Sequence, residues 1–184
     1  MFKILDQSVF DVNVQAYVNT INCVGAMGAG IALEFKKRYP DMFVEYQSKC
    51  RSGQIKPGDC YVYRNPDGIY ILGLAVKDDW KRWSTVGWIE QSLKSMKLAI
   101  LENDIKSVAM PVPGGKNGRR GPHGPVPGGT PPPENIEELT LMVENQLSSF
   151  AEKFNIEINL CIPSEIPTPK KKNDGLTLDT FFTV

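Results

Sequence analysis

The chain has 184 residues, and its 21 basic and 21 acidic side chains cancel to a formal net charge of zero. This length suits one domain with a full hydrophobic core, but it does not comfortably hold two. The neutral balance gives no global attraction to nucleic acid or membrane, so any basic surface must be local.

The first forty residues predict two strands followed by a helix. FKIL (2–5) and VQAYVNTI (14–21) are short apolar runs, and the second is rich in β-branched and aromatic residues that favour a buried strand. AGIALEFKKRY then predicts a helix, because basic residues gather in its last turn and Pro40 follows. A second helix is predicted for DMFVEYQSKCRSG, with Asp41 as its N-cap and Gly53 at its end.

The middle of the chain predicts a hairpin and a long helix. CYVYR (60–64) and IYILGLAV (69–76) flank the turn sequence NPDG, which is typical of a β-hairpin. STVGWIEQSLKSMKLAILEND predicts an amphipathic helix beginning at Ser84, with its apolar stripe on Ile89, Leu93, Met96, Leu98 and Leu101.

The last elements are a strand at KSVAMPV (106–112), a helix at ENIEELTLMVENQLSSFAEKF and a strand at IEINLCI (156–162). Strands that alternate with helices predict an α/β fold with a mixed, largely parallel sheet covered on both faces. We expect residues 163–184, which are proline-rich and then basic, to form a flexible tail outside the domain at 1–162.

Cysteine usage and the absence of targeting patterns suggest where the protein works. The four cysteines are widely spaced and form no CxxC pair, so we expect reduced thiols and no metal site. No signal-peptide pattern opens the chain, and no apolar run approaches the ~20 residues of a membrane span. We therefore expect a soluble monomer in the cytoplasm, or in the nucleus of a eukaryote.

A glycine-rich stretch, NTINCVGAMGAGIAL (19–33), lies between the second strand and the first helix. Ligands in such folds bind beyond the carboxyl ends of strands, where backbone N–H groups and the helix dipole favour a phosphate. The absence of side chains at Gly25, Gly28 and Gly30 would let a phosphate approach the backbone closely. A tight structural turn is the alternative explanation, and neither a Walker loop nor a GxGxxG pattern is present.

The segment VNTINCVGAMGAGIALEFKKRYP resembles the first ligand loop of macro domains, which are ADP-ribose-binding modules. It is most similar to the branch of DNA ADP-ribosyl glycohydrolase antitoxins and terminal ADP-ribose protein glycohydrolases. The similarity continues through GLAVKDDWKRWSTVGWIEQSLKSMKLAI and SVAMPV, and it covers roughly residues 1–162. The resemblance implies a three-layer α/β/α sandwich that binds ADP-ribose without a cofactor.

The resemblance also implies roles for individual residues. Asp6 matches the acid that accepts a hydrogen bond from the adenine amino group, although Leu5 stands where a glycine usually precedes it. Asn22 matches the residue that hydrogen-bonds the distal ribose, and Lys77 matches the catalytic lysine, so we assign both to catalysis. The distal ribose and the diphosphate would be wrapped by Gly25, Ala26, Met27, Gly28, Ala29, Gly30 and Ile31.

A lysine suits the cleavage of a glycosidic bond at the distal ribose. That reaction builds oxocarbenium-like charge or opens the sugar to an aldehyde. In a desolvated pocket the pKa of Lys77 would be depressed, so that the amine acts as a nucleophile or donates a proton or hydrogen bond. From the local sequence alone, a solvated lysine at a strand end is the alternative.

The second ligand loop, VPGGKNGRRGPHGPVPGGTPPP, departs from the glycohydrolase pattern. It has no carboxylate between Pro111 and Glu134, whereas one branch of the family uses an aspartate there together with the lysine. Asp78 and Asp79 are the nearest substitutes along the chain. We expect ADP-ribose to contact this loop at Gly114, Gly115, Lys116, Asn117 and Gly118, with the three glycines allowing the backbone to approach the diphosphate.

Other residues near these loops have more than one interpretation. Arg119, Arg120 and His123 can contact a phosphate or a nucleic-acid backbone, although His123 also fits a solvated loop residue. Trp80 or Trp83 can stack on a base or rim the pocket, and core packing explains them equally well.

The C-terminal sequence GLTLDTFFTV resembles sliding-clamp-binding peptides. Leu178, Phe181 and Phe182 have the required L-x-x-F-F spacing, and Gly175 stands where the full motif has glutamine. One helical turn would place the three side chains in a single hydrophobic pocket of a partner. The alternative is that the tail folds back onto its own domain.

Three functions therefore compete at this stage. The leading hypothesis is an ADP-ribosyl glycohydrolase that removes ADP-ribose from modified DNA or protein. The others are a phosphatase acting on ADP-ribose 1″-phosphate and a non-catalytic ADP-ribose reader.

Overall fold

Residues 1–164 of the computed structural model are described, and they form six strands, four α-helices and one short 3-10 helix at Val9–Asp11. The strands are β1 (Phe2–Leu5), β2 (Ala16–Asn22), β3 (Cys60–Arg64), β4 (Tyr70–Lys77), β5 (Ser107–Pro111) and β6 (Glu157–Cys161). The helices are α1 (Gly30–Arg38), α2 (Pro40–Arg51), α3 (Val86–Glu102) and α4 (Ile136–Lys153). The predicted order of elements is confirmed, and the sequence patterns missed only the 3-10 helix.

One sheet joins all six strands in the order β1-β6-β5-β2-β4-β3. Every neighbouring pair is parallel except β3 and β4, which form the predicted antiparallel hairpin. The carboxyl ends of the other five strands therefore meet at one edge of the sheet. Crossover connections with helices cover both faces, as a largely parallel sheet requires.

Two hydrophobic cores lie on opposite faces of this sheet. Alternate residues of β4 divide between them: Leu72, Leu74 and Val76 pack with α3 and α4, whereas Ile71 and Ala75 pack on the side of α1 and α2. The α3–α4 core is mainly aliphatic and includes Phe150, whereas the α1–α2 core contains the fully buried aromatic rings of Phe35 and Tyr46. The structure is thus the expected three-layer α/β/α sandwich.

The starts of two helices differ from the sequence prediction. Pro40 is the first residue of α2, because its fixed backbone angle suits the first turn of a helix, and Tyr39 rather than Asp41 precedes that turn. At α3 the N-cap is Thr85, whose Oγ1 accepts a hydrogen bond from the Trp88 N–H at 3.2 Å. The prediction that the helix begins at Ser84 was therefore wrong, because the N-cap lies one residue later.

The predicted apolar stripe of α3 is only partly buried. Ile89, Leu93 and Met96 are fully buried, but Leu98 and Leu101 are exposed, at 56% and 43%. The buried face continues instead through Ala99 and Ile100, which keep the helical spacing from Met96. None of the helices within residues 1–164 has the length and apolar character needed to span a bilayer.

The Thr85 cap provides a test of the α3 boundary. We expect Thr85→Ala to lower the free energy of unfolding by about 1 kcal/mol, because the Trp88 N–H loses its acceptor in a buried position. Chemical denaturation monitored by circular dichroism measures the change. Thr85→Ser is the matched control, since it removes the same methyl group and keeps the hydroxyl. Equal destabilisation by both variants would show that methyl packing, rather than capping, matters here.

Candidate functional site

A cleft of about 750 Å³ opens at the sheet edge where β2, β4 and β5 end. One wall is the glycine-rich loop between β2 and α1, and the other is the loop between β5 and α4. Its lining is predominantly small or polar and comprises Thr20, Ile21, Asn22, Ala26, Gly28, Ala29, Gly30, Ile31, Ala32, Val76, Lys77, Trp80, Ser84, Pro111, Val112, Gly114, Gly115, Lys116, Asn117, Gly118, Arg120 and Gly121.

A register shift between β2 and β4 brings the two predicted catalytic residues together. Ile21 pairs with Ala75, but the next residue, Asn22, pairs with Lys77, so that one residue of β4 has no partner on β2. Irregularities of this kind re-aim side chains at the ends of strands and are common beside functional sites. Asn22 and Lys77 consequently lie on adjacent strand ends, and both line the cleft.

The side chain of Asn22 organises the first loop. Its Oδ1 accepts hydrogen bonds from the N–H groups of Val24 and Ala26, at 3.1 and 3.2 Å, and its Nδ2 donates to the Ala26 carbonyl at 2.7 Å. The buried Tyr46 hydroxyl lies 2.6 Å from the Asn22 carbonyl and 3.2 Å from Oδ1. An amide carries two N–H donors, so Asn22 retains one N–H beyond the bond to Ala26.

Lys77 is buried at the end of β4, with only 9% of its surface exposed. Burial lowers the pKa of its ammonium group to about 8, and the nearby Asp78 carboxylate opposes this effect only partly. Its Nζ donates a hydrogen bond to the main-chain carbonyl of Arg120 at 2.7 Å. A depressed lysine pKa in a cleft is a recurrent property of amines that act in catalysis.

The second loop lies along the segment that follows Lys77 and is held there by main-chain hydrogen bonds. The Trp83 N–H donates to the Gly124 carbonyl at 2.9 Å, and the Ser84 N–H donates to the Gly118 carbonyl at 2.7 Å. In the opposite direction, the His123 N–H donates to the Lys81 carbonyl at 3.0 Å. This contact needs a glycine at 121, because a Cβ there would lie 2.2 Å from the Lys81 carbonyl oxygen.

Arg119 reinforces the same contact with its side chain. Its guanidinium lies 5.0 Å from the centre of the Trp83 ring, and it donates to the Pro132 carbonyl at 2.7 Å. Arg119 therefore braces the loop, whereas Arg120 and Lys116 are exposed and line the cleft. His123 is also exposed and does not line the cleft.

The two loops meet above the start of α1. Asn117 of the second loop lies so close to Gly30 that a Cβ at that position would approach its Nδ2 to 2.6 Å. Ala29, the N-cap of α1, has no side chain able to cap the first N–H groups of the helix. The amino end of α1 therefore faces the cleft with its positive partial charge, a favourable arrangement for a phosphate.

Most of the residues predicted to contact ADP-ribose line this cleft. They are Asn22, Ala26, Gly28, Ala29, Gly30, Ile31, Lys77, Gly114, Gly115, Lys116, Asn117 and Gly118. Gly25 and Met27 lie behind the first loop. The Gly25 carbonyl accepts a hydrogen bond from Gln47, and Met27 is buried with its sulfur facing the Asn19 amide.

Asp6 lies apart from the cleft lining, at the end of β1. Its two carboxylate oxygens accept hydrogen bonds from the N–H and the hydroxyl of Ser164, at 2.6 and 2.8 Å. These bonds lower the pKa of Asp6. Its predicted contact with adenine stays a prediction, as do the ligand roles of the cleft residues. Leu178, Phe181 and Phe182 lie outside the described residues.

Two residues at the site were missed in the sequence. Ser84 lines the cleft with 1% exposure, and its Oγ has no hydrogen-bond partner within the described structure. The sequence pattern predicts only a helix start at this residue. Tyr46 was not singled out either, because its apolar spacing with Met42 on α2 predicts nothing beyond a core position.

The second loop has no carboxylate between Pro111 and Glu134 to offer Lys77. Asp78 and Asp79, the proposed substitutes, are engaged locally: Asp78 accepts from the Asp79 N–H at 2.7 Å and lies 3.8 Å from the Arg82 Nε. Asp79 accepts from the Lys81 N–H at 2.9 Å. Among the described residues that line the cleft, none is an aspartate or a glutamate.

Several known proteins resemble this chain in sequence and fold. The macro domain family matches residues 18–115. A DNA ADP-ribosyl glycohydrolase of Thermus aquaticus is 36% identical over 121 residues, which are 64% of this chain and 34% of that protein. One from Mycobacterium bovis is 40% identical over 109 residues, which are 58% of this chain and 31% of that protein. The chain thus matches about a third of the length of these relatives.

A solved structure extends the match over nearly the whole described region. The macrodomain of Mycobacterium tuberculosis DarG superposes with a TM-score of 0.73 at 31% identity, covering 89% of this chain and 99% of that one. The family match, the identity and the shared architecture agree with the resemblance of the glycine-rich loop and of the strand ending in Lys77. The chain belongs to the macro domain family.

Proposed function

We propose that this domain binds ADP-ribose and hydrolyses the bond that joins it to modified DNA or protein. The observation that carries the proposal is Lys77, an amine of lowered pKa beside Asn22 at the end of a glycine-walled cleft. The relatives of Thermus aquaticus and Mycobacterium bovis are named for this hydrolysis of DNA-linked ADP-ribose.

The sheet supplies the length that an extended dinucleotide-like ligand needs. Asp6 follows β1 and Lys77 ends β4, four strand positions apart along the same edge. At about 4.8 Å per strand the two positions are separated by about 19 Å. ADP-ribose fits this separation in one orientation. Adenine would lie at Asp6, the diphosphate between the two loops and the distal ribose at Lys77. The start of α1 would then contribute its N–H groups to the diphosphate.

Lys77 would act as a nucleophile on the distal ribose. With a pKa of about 8, roughly a tenth of the lysine is the neutral amine at pH 7, far more than for an exposed lysine. Attack of the neutral amine on C1″ would break the bond to the macromolecule, whose linking atom would leave with the bonding electrons and take up a proton. The lysine-bound sugar would then open to an imine, which water would cleave to release ADP-ribose and regenerate the amine. Asn22 would hold the ribose through its remaining amide N–H.

A phosphatase for ADP-ribose 1″-phosphate and a non-catalytic reader remain the alternatives. The exposed Lys116 and Arg120 on the cleft wall favour a phosphate group in either case. Parallel assays with ADP-ribosylated DNA, ADP-ribosylated protein and ADP-ribose 1″-phosphate separate the three functions. Release of ADP-ribose from a macromolecule supports the proposal, and release of phosphate alone would replace it with the phosphatase.

Ligand binding can be tested by thermal unfolding. ADP-ribose at about 100 times its Kd should stabilise the domain by about 2.7 kcal/mol. Gly28→Val should abolish this gain without unfolding the protein, because Gly28 lines the cleft and has no atom within 4 Å of the position of an added Cβ.

Gly87→Val is the matched control for Gly28→Val. Gly87 also has open space around its Cβ position, but it lies on the exposed start of α3 outside the cleft lining. This variant should keep the stabilisation by ADP-ribose. No stabilisation of the native chain at millimolar ADP-ribose would reject the proposed function.

Replacing Lys77 should separate catalysis from binding. We expect Lys77→Ala to retain ADP-ribose binding and to lose about 100-fold to 10,000-fold in the rate of hydrolysis, as removal of a catalytic group does. Lys94→Ala, which changes an exposed lysine of α3, is the control and should hydrolyse at the native rate. A native rate for Lys77→Ala would remove Lys77 from the mechanism.

The pH dependence distinguishes the two chemical roles of Lys77. If the neutral amine attacks, the rate should rise with pH up to about 8 and then become constant, because the pKa of Lys77 is about 8. Borohydride should trap the imine as a covalent adduct on Lys77. A rate that falls above pH 8 would show instead that the protonated ammonium donates to the leaving group.

We also propose that residues 170–184 bind a sliding clamp through Leu178, Phe181 and Phe182. Burial of three apolar side chains, offset by the cost of ordering the peptide, is compatible with micromolar affinity. A synthetic 170–184 peptide should bind the clamp of the source organism in a polarisation assay, and the double variant Phe181→Ala, Phe182→Ala should not. A lower melting temperature of the chain truncated after residue 164, together with no peptide binding, would show that these aromatics pack on the domain.

A further inference from the structure

We propose that Trp80 forms a stacking site for the nucleobase that carries ADP-ribose, with Lys81 and Arg120 placed to contact the neighbouring phosphates. The inference rests on the proposed function, because it concerns the group on the far side of the bond that Lys77 would cleave. The inference assigns to Trp80 the preference of the cleft for a modified nucleic acid strand over a modified protein.

Trp80 lies at the end of the cleft where the distal ribose of the ligand is proposed to bind. It follows Lys77 by three residues, and both line the cleft. The predicted adenine contact, Asp6, lies four strand positions away along the sheet edge. Trp80 is therefore next to the distal ribose in the proposed orientation, where the leaving group must sit, and it is remote from the adenine.

The exposure of Trp80 is not explained by packing. Half of its surface, 50%, is exposed, whereas Trp83 is covered by the Arg119 guanidinium and Trp88 is half-buried on α3. An indole that is exposed on a cleft wall offers a flat apolar surface on which any base can stack. A serine or an acidic side chain of a modified protein would have no need of such a surface.

The charges around Trp80 suit a phosphate backbone. The Lys81 Nζ lies 5.5 Å from the centre of the Trp80 ring, and the exposed Arg120 lines the same cleft. Lys116 adds a third cation on the cleft wall, and the described lining has no carboxylate that would repel a nucleic acid. Asp78 and Asp79, next to Trp80 in the chain, have the local partners described above and lie outside this lining. The chain as a whole is formally neutral, so the basic surface is a local one.

The test compares two ligands in the Lys77→Ala background, so that binding is measured without turnover. The dissociation constants of free ADP-ribose and of a short single-stranded oligonucleotide with one ADP-ribosylated base give a preference ratio. We expect the oligonucleotide to bind more tightly, and we expect Trp80→Ala to reduce the ratio about tenfold or more, as loss of one stacked base does. Trp80→Phe should keep most of the preference, and Trp80→Leu, which is apolar but not aromatic, should lose it.

The phosphate contacts are tested by the salt dependence of the same binding. Lys81→Gln should make the affinity for the oligonucleotide less sensitive to salt, because one fewer phosphate is neutralised. The slope for free ADP-ribose should not change. An unchanged slope for the oligonucleotide would remove Lys81 from the site.

Three results would overturn the assignment of Trp80. The ratio would stay constant if Trp80→Ala weakened both ligands equally, and Trp80 would then belong to the ADP-ribose site. Native affinities of Trp80→Ala for both ligands would show that Trp80 contacts neither of them. Tighter binding of an ADP-ribosylated peptide than of the oligonucleotide would make the partner a protein. Failure of the native chain to hydrolyse any substrate would reject the proposed function alone, since none of these comparisons involves turnover.

Discussion

The hydrogen bonds of the Asn22 side chain are the constraint on which the site depends. The amide joins the end of β2 to the first residues of the glycine-rich loop, and Tyr46 of α2 fixes it from the opposite side. The loop after β2 has few side chains to hold its shape, so a buried amide does this instead. These bonds connect the loop, the end of β2 and the helix α2. They also position the start of α1 so that it faces the cleft.

The environment of Lys77 depends on the second loop as much as on β4. Residues 118–124 cover the segment after Lys77 with main-chain hydrogen bonds, and the Arg120 carbonyl receives the lysine itself. Coverage of this kind excludes water from the amine and accounts for its lowered pKa. The loop thus influences the Lys77 amine through its backbone, although it supplies no acid.

The sequence predicted the layers of the fold and most of the cleft, for identifiable reasons. Apolar runs and helical patterns locate the strands and helices, and β4 was recognisable because its apolar run follows the turn sequence NPDG. The family resemblance singled out the lysine at its end. Helix caps were less predictable: Ser84 and Thr85 have the same capping chemistry, and only the chain path decides which hydroxyl meets the Trp88 N–H. The register shift opposite Asn22 was not predictable, since pairing between distant strands leaves no local pattern.

Long-range contacts account for the other features that the sequence did not reveal. The role of Tyr46 requires α2 to pack beneath the end of β2, 24 residues away in the chain. The docking of the second loop uses main-chain atoms, which carry no residue preference beyond the glycines. A Pro/Gly-rich composition without acids suggests an irregular segment. The second loop is nevertheless held by hydrogen bonds to residues 81–84, about forty residues earlier in the chain.

The pair of hydrogen bonds between Asp6 and Ser164 has a consequence for the chain beyond β6. Both carboxylate oxygens are occupied by a residue of the protein itself. An adenine amino group at Asp6, which the family resemblance implies, would share these two oxygens with Ser164, since each carboxylate oxygen can accept more than one hydrogen bond. Any coupling between the two contacts would be reciprocal, so that nucleotide would change the stability of the Ser164 contact by the same free energy by which Ser164 changes nucleotide binding. The end of the domain and its ligand would in this sense meet at a single carboxylate.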